Sequence, residues 1–261
     1  MSWRLALLTV AALAGCALAP PATGPSALAQ PARSGFEDMG AAVQAMQRDD
    51  GANPAMLWVE GGRQLWAQAP AAQSKACIAC HGEITGLRGV AARYPAWDAT
   101  LQRPVNLGHR INLCRQRHQG QPPWSPEHSD LLSLEAAVGL QSRGMPVTPN
   151  PDRRLDPSRE RGAALFQQRI GQLNLSCVAC HDQLAGGRLA GVLIPQGQAN
   201  AYPLYRLEWQ SMGSLGRRVR NCMTGVRADP LPLHSEEMVQ LELHLATRAL
   251  GLTVETPGVR P

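Results

Sequence analysis

Apolar positions in this chain follow a helical period rather than a strand period. Near the C-terminus Met238, Leu241, Leu245 and Ala249 recur at spacings of 3, 4 and 4, which places them on one helical face. His234-Ser235-Glu236 precedes them, and a Ser N-cap followed by acidic residues predicts a helix start there. His128-Ser129-Asp130 predicts another. Earlier, helical patterning begins at Leu57. Two stretches, Glu60–Trp66 and Glu160–Phe166, each set a glycine and an aromatic ring four apart on one face, Gly62 with Trp66 and Gly162 with Phe166. No strand-rich region competes, so the expected fold class is all-α. The 21 prolines and 25 glycines suit long loops between the helices.

Those stretches are copies of each other. Cys77-Ile78-Ala79-Cys80-His81 and Cys177-Val178-Ala179-Cys180-His181 are offset by 100 residues, as are Glu60, Gly62, Leu65 and Trp66 from Glu160, Gly162, Leu165 and Phe166. Leu107-Gly108-His109-Arg110-Ile111-Asn112-Leu113-Cys114 matches Leu215-Gly216-Arg217-Arg218-Val219-Arg220-Asn221-Cys222 at Leu, Gly, the second basic residue, the β-branched residue and Cys. A Tyr-Pro pair stands 20 residues before each of these cysteines, at Tyr94 and Tyr202. An internal duplication of this kind sets the architecture before any local element is assigned. The expected organisation is an N-terminal export signal (1–29), a partly ordered lead-in (30–54), a first domain (55–145), a Pro-rich linker (146–157) and a second domain (158–252).

CxxCH is the attachment signature of a c-type haem: two thiols add to the haem vinyls and the histidine ligates the iron. Two copies in a duplicated frame predict two covalently bound haems, held by Cys77, Cys80, Cys177 and Cys180 with His81 and His181 on the metals. Each iron then has one axial position left. Cys114 and Cys222 recur at the same place in their repeats and are the candidate ligands there; a disulfide between them is the alternative. Met145, Met212 and Met223 have no counterpart in the other half and are expected in core or loops. His109, His118, His128, His234 and His244 lack ligand spacing and are expected as surface or capping residues. Around Cys222 lie Arg217, Arg218, Arg220 and Arg227. In a helix, Arg218 stands one turn before Cys222 on its face, where a guanidinium can bind a small dianion and hold the sulfur as an anion.

The formal charge of +5 does not imply nucleic acid, because the arginines are scattered and Lys75 is the single lysine. Aromatic residues make up 4% of the chain, low for its length, as expected where haem itself fills each core. The apolar run from Leu5 to Ala19 after Arg4 reads as an export signal and is short for a transmembrane span. Cleavage after Ala27-Leu28-Ala29 and lipidation at Cys16 in Leu13-Ala14-Gly15-Cys16 are both open. Either places the protein in the periplasm, the second as an anchored lipoprotein.

Both halves resemble class I cytochromes c, in which the glycine-bearing helix packs against the closing helix and the distal ligand precedes that helix. The segment Arg217-Arg218-Val219-Arg220-Asn221-Cys222-Met223-Thr224-Gly225-Val226-Arg227, with the two haem motifs and Cys114, resembles the SoxA family, the dihaem subunits of thiosulfate-oxidising SoxAX cytochromes. The resemblance runs from about Gly35 to Leu250. It implies an L-cysteine S-thiosulfotransferase that joins thiosulfate to a cysteine of a sulfur-carrier protein and passes electrons to cytochrome c. It also implies haem ligation by His81 with Cys114 and by His181 with Cys222, a persulfide on Cys222, substrate binding by Arg218, and a small monohaem cytochrome as partner in a heterodimer. A thiosulfate dehydrogenase making tetrathionate, or a non-enzymatic electron carrier, is the alternative reading.

Overall fold

A computed structural model describes residues 31–261. The expected export signal, its cleavage site and Cys16 lie outside these residues. After a lead-in with helix α1 (Ala41–Arg48), the chain runs twice through one order of elements. The first pass is α2 (Met56–Ala67), α3 (Cys77–His81), the hairpin β1 (Ala96–Asp98) and β2 (Arg103–Val105), α4 (Leu107–Gln119) and α5 (Ser129–Leu140). The second is α6 (Asp156–Gln167), α7 (Cys177–His181), a small hairpin of β3 (Arg188–Leu189) and β4 (Val192–Leu193), the hairpin β5 (Leu204–Arg206) and β6 (Ser211–Gly213), α8 (Leu215–Gly225) and α9 (Glu236–Arg248). A last strand, β7 (Gly258–Arg260), follows.

Each half is built on one helix crossing, and a glycine makes it possible. A Cβ on Gly62 would lie 2.1 Å from the Ser133 carbonyl oxygen, and one on Gly162 would lie 2.0 Å from that of Gln240. Only glycine lets α2 approach α5, and α6 approach α9, this closely. Around the first crossing Val59, Trp66, Leu132, Ala136 and Ala137 form a core; around the second, Phe166, Leu241 and Leu245 do so. The apolar spacing of α9 therefore reports its packing face. Its start is also as expected, since Ser235 accepts a hydrogen bond from the Met238 N–H. The matching start differs: His128 is the N-cap, its Nδ1 accepting from the Asp130 N–H at 3.2 Å, and Ser129 is already helical.

The helices alone do not complete the fold. The hairpins β1–β2 and β5–β6 hold three residues per strand, too few for an alternating pattern to show in the sequence. Each follows a cis Tyr-Pro bond, at Tyr94–Pro95 and Tyr202–Pro203. In register, Asp98 faces Arg103 in the first hairpin and Arg206 faces Ser211 in the second. β7 adds to the second hairpin in parallel, Arg206 opposite Arg260. The lead-in buttresses it: Gln47 Oε1 accepts from the Val259 N–H at 2.9 Å, and Asn53 donates to the Pro257 carbonyl at 3.1 Å. The Pro-rich linker is tied down by the segment after α9, Val147 N–H to Leu252 at 2.8 Å and Val254 N–H to Met145 at 2.8 Å. Pro157 lies in the first turn of α6, where its missing N–H has no helical partner to lose. A cleft of about 150 Å³ separates the halves, lined by Tyr94, Glu135, Tyr202 and Glu242 among others.

Candidate active site

Each CxxCH forms a single helical turn that brings its two cysteines and its histidine to one end of a helix crossing. All six described cysteines are free thiols, so Cys114 and Cys222 are not joined in a disulfide. In the first half Trp66 donates from its indole to the Gly82 carbonyl at 3.0 Å, and its ring centroid lies 5.7 Å from that of His81. Cys77 packs on the first core, and Cys177 on the second. In the second half the His181 ring is fixed from behind. Its Nδ1 lies 2.8 Å from the Pro195 carbonyl oxygen, which can only accept, so Nδ1 carries the proton and Nε2 is the nitrogen left for a metal. Gly197, at φ +69°, lies flat against the ring; a Cβ there would meet Nδ1 at 2.8 Å.

Cys222 and His181 lie near enough that each bears on the other's proton. Burial alone would push the Cys222 thiol up, but His181, the charge of Arg218 and, least of them, that of Arg206 outweigh it and hold the thiol below its ordinary value. Helix α8 carries both Cys222 and Arg218, one turn apart, after the Ser214 hydroxyl caps it through the Arg217 N–H at 3.0 Å. Cys114 occupies the same place on α4, but burial keeps its thiol above the ordinary value despite Arg110 and Arg117. The two cysteines are copies in position and opposites in acidity.

His181 is the larger part of the reason, since His81 has no such effect on Cys114; a second part lies 108 residues apart in the two hairpins. In the first half Asp98, 2% exposed, accepts from Arg110 Nη1 at 2.7 Å and from Arg117 at 3.2 and 3.3 Å. Arg117 and Arg110 hold this carboxyl well below the usual carboxylate range. In the second half the same position is Arg206. Its side chain is 15% exposed, and it bonds Glu208 through Nη2 at 3.2 Å. Its buried Nε has no acceptor.

These residues fit a c-type haem in each half: two free thiols and a histidine on one helical turn, with a further cysteine near them, and in the second half an oriented imidazole. The SoxA/TsdA cytochrome c domain model matches residues 61–147 and 161–254. This chain belongs to the SoxA/TsdA cytochrome c family. It is 36% identical over 87% of its length to the L-cysteine S-thiosulfotransferase subunit SoxA of Pseudaminobacter salicylatoxidans, covering 80% of that protein. Against the SoxA subunit of Rhodovulum sulfidophilum it is 35% identical, with the same coverages. Its fold superposes on a chain of the crystal structure of SoxXA from P. pantotrophus with a TM-score of 0.85 at 30% identity, covering 88% of this chain and 87% of that one. As a member of the family the protein is a dihaem cytochrome c.

Of the four arginines near Cys222 in the sequence, Arg218 is the one whose charge bears on the thiol. Arg217 turns away, its guanidinium 4.0 Å from the Trp209 ring and bonded to Ser211 Oγ at 3.3 Å. Arg220 bears on Glu127. Arg227 follows the helix in left-handed conformation, its carbonyl accepting from the Gln172 N–H at 3.2 Å. Arg206 takes their place, and sequence reasoning missed it. Its signal was present, a copied position at which an acid has become a base. His109 also departs from expectation: it is buried, neither surface nor cap, with its ring 4.3 Å from that of His234 and burial pushing its pKa down to about 4. Met212 is core, 2% exposed.

Proposed function

We propose that this SoxA-family chain is the catalytic dihaem subunit of an L-cysteine S-thiosulfotransferase, joining thiosulfate to a cysteine of a sulfur-carrier protein. One observation carries the reading: helix α8 sets Arg218 one turn before Cys222, the cysteine that lies near His181 of the second CxxCH motif. The new bond links the outer sulfur of thiosulfate to the carrier sulfur, with loss of the carrier thiol's proton and of two electrons. When bound, the two c-type haems supply one-electron exits for that oxidation, His81 with Cys114 and His181 with Cys222 being the residues that would hold the irons.

The chain's own residues do the rest. Cys222 presents an anionic sulfur, which we assign as a persulfide in the resting protein. Arg218 neutralises one charge of the approaching dianion, lowering its repulsion from that sulfur. Pro195 and Gly197 keep the His181 ring in one tautomer and one orientation. A small monohaem cytochrome would take the electrons in a heterodimer. Its support is that the curated relatives are named as subunits and that a similar structure is a SoxXA complex. The periplasm is the proposed location, resting on the signal-like run Leu5 to Ala19 and on the site of c-type haem attachment.

The test is an assay of the purified dihaem protein with a partner cytochrome, thiosulfate and a thiol carrier, reading the carrier by intact mass. Gain of one thiosulfate adduct per carrier cysteine is the expected result. A thiosulfate dehydrogenase would instead make tetrathionate with no carrier present, and an inert electron carrier would make neither. The intact mass of the protein itself should show two haems and one extra sulfur atom.

A further inference from the structure

In a duplicated chain, the copied positions that change charge mark where the halves diverge in chemistry. Asp98 and Arg206 are such a pair. They share the end position of their strands, and the offset of 108 that relates them also relates Tyr94 to Tyr202, Arg110 to Arg218 and Cys114 to Cys222. In the first half the acid holds both nearby guanidinium groups, so the N–H groups of Arg110 and Arg117 that it takes are closed to an incoming anion. In the second half the acid is gone, and the counterpart of Arg117 is Gly225. Two guanidinium groups, Arg206 and Arg218, then stand at the positions where Asp98 and Arg110 pair at 2.7 Å in the first half, and the Arg218 charge disfavours that of Arg206.

Arg206 packs its guanidinium 5.3 Å from the Trp209 ring, its side chain 15% exposed, and a mostly buried cation with a buried N–H lacking any acceptor calls for an anion. Glu208 answers only part of the need, since it holds one end of Arg206 and is itself 61% exposed. The open Nε suits a negative group brought by a ligand.

Resting on the function proposed above, we propose that Arg206 and Arg218 form a two-guanidinium clamp at Cys222 that binds a dianionic sulfur oxyanion, and that the exchange of the first-half acid for Arg206 makes the second half the substrate-binding half. The clamp selects by charge, favouring a dianion over monoanions of similar size. Arg206 contributes from a strand, so its place does not depend on the turn of α8 that carries Arg218 and Cys222.

The experiment is calorimetric titration of the haem-loaded complex with thiosulfate, with no electron acceptor present, alongside steady-state conjugation. Arg206→Gln should weaken binding about 10- to 100-fold, with KM rising and kcat changing less. Arg206→Lys keeps the charge and should stay within about 10-fold of the unmodified protein. Arg206→Asp recreates the first-half pairing with Arg218 and should weaken binding more than Arg206→Gln. Glu208→Gln, at the exposed partner, should leave binding within about twofold. Haem absorbance and melting temperature of each variant separate loss of the anion from loss of the fold; if Arg206→Gln fails to fold, Arg206→Lys against Arg206→Asp decides. Unchanged affinity in Arg206→Gln, or equal affinities in Arg206→Lys and Arg206→Asp, overturns the clamp while leaving the thiosulfotransferase reading intact. Charge-dependent thiosulfate binding without conjugation to any carrier does the reverse. An unmodified complex that binds no thiosulfate overturns both.

Discussion

Cys114 and Cys222 differ by what their neighbours leave available, and single substitutions should expose it. Cys222→Ala should abolish conjugation of thiosulfate while both haems stay attached, since attachment uses Cys77, Cys80, Cys177 and Cys180. Cys114→Ala should shift the spectrum and potential of the first haem and keep substantial activity. Conjugation assays with haem quantification check both, and a dead Cys114→Ala beside an active Cys222→Ala would reverse the assignment. Arg218→Ala should lower kcat/KM for thiosulfate by about 10- to 150-fold, the worth of a charge-assisted contact. Arg110→Ala, at the copied position, should leave kcat/KM nearly unchanged and act on stability instead. It removes the 2.7 Å partner of buried Asp98, leaving Arg117, and should cost about 1–3 kcal/mol in urea unfolding.

Between elements, the two glycine crossings are the joints of the fold. Gly62→Ala and Gly162→Ala would each drive a methyl into a carbonyl oxygen of the facing helix, so the helices must separate. Overpacking of this kind costs about 1–3 kcal/mol, more than the roughly 1 kcal/mol that alanine gains over glycine in a helix. Gly61→Ala is the internal control. Its Cβ would meet Ser133 Oγ at 3.6 Å, ordinary contact, so the helix-propensity gain should show through. Denaturant midpoints should fall for the first two and hold or rise for the third. The glycine–aromatic spacing made both crossings legible from the sequence. The hairpins were not legible, because three-residue strands carry no period and their pairing is decided by helices that follow them.

Across the whole molecule, the cleft between the halves brings two copied acids together, Glu135 from α5 and Glu242 from α9. Burial, reinforced by neighbouring carboxylates, pushes Glu135 up to about 8 and Glu242 up to about 7, although Asn106 donates to Glu242 at 2.8 Å. An acid whose pKa is raised on folding binds its proton more tightly in the folded state. Its contribution is therefore fully present below the ordinary value near 4.5 and is lost as pH rises through about 7 and 8. His109 works oppositely, losing stability as pH falls from its ordinary 6.5 through about 4, so it adds no slope above pH 6.5, where the Glu242→Gln variant separates the acids from the other titrating groups. Melting temperature should fall between about pH 6.5 and 8.5, and Glu242→Gln should flatten that slope. A flat profile in the unmodified protein would contradict the burial argument.

Chemistry written in consecutive residues could be read without a structure. The two CxxCH turns, the copied cysteines, the helix carrying Arg218 and Cys222, and the glycine faces all depend on spacings of a few residues, which the helical period converts into positions. Only the folded chain decided which charges survive beside each cysteine. Arg217, Arg220 and Arg227 are near Cys222 in sequence and turned elsewhere, whereas Arg206 reaches it from a strand. The same fold lets Asp98 cancel Arg110. Coulomb energy and desolvation depend on distance and burial, and those are set when a hairpin closes against a helix, not by the order of residues along either one.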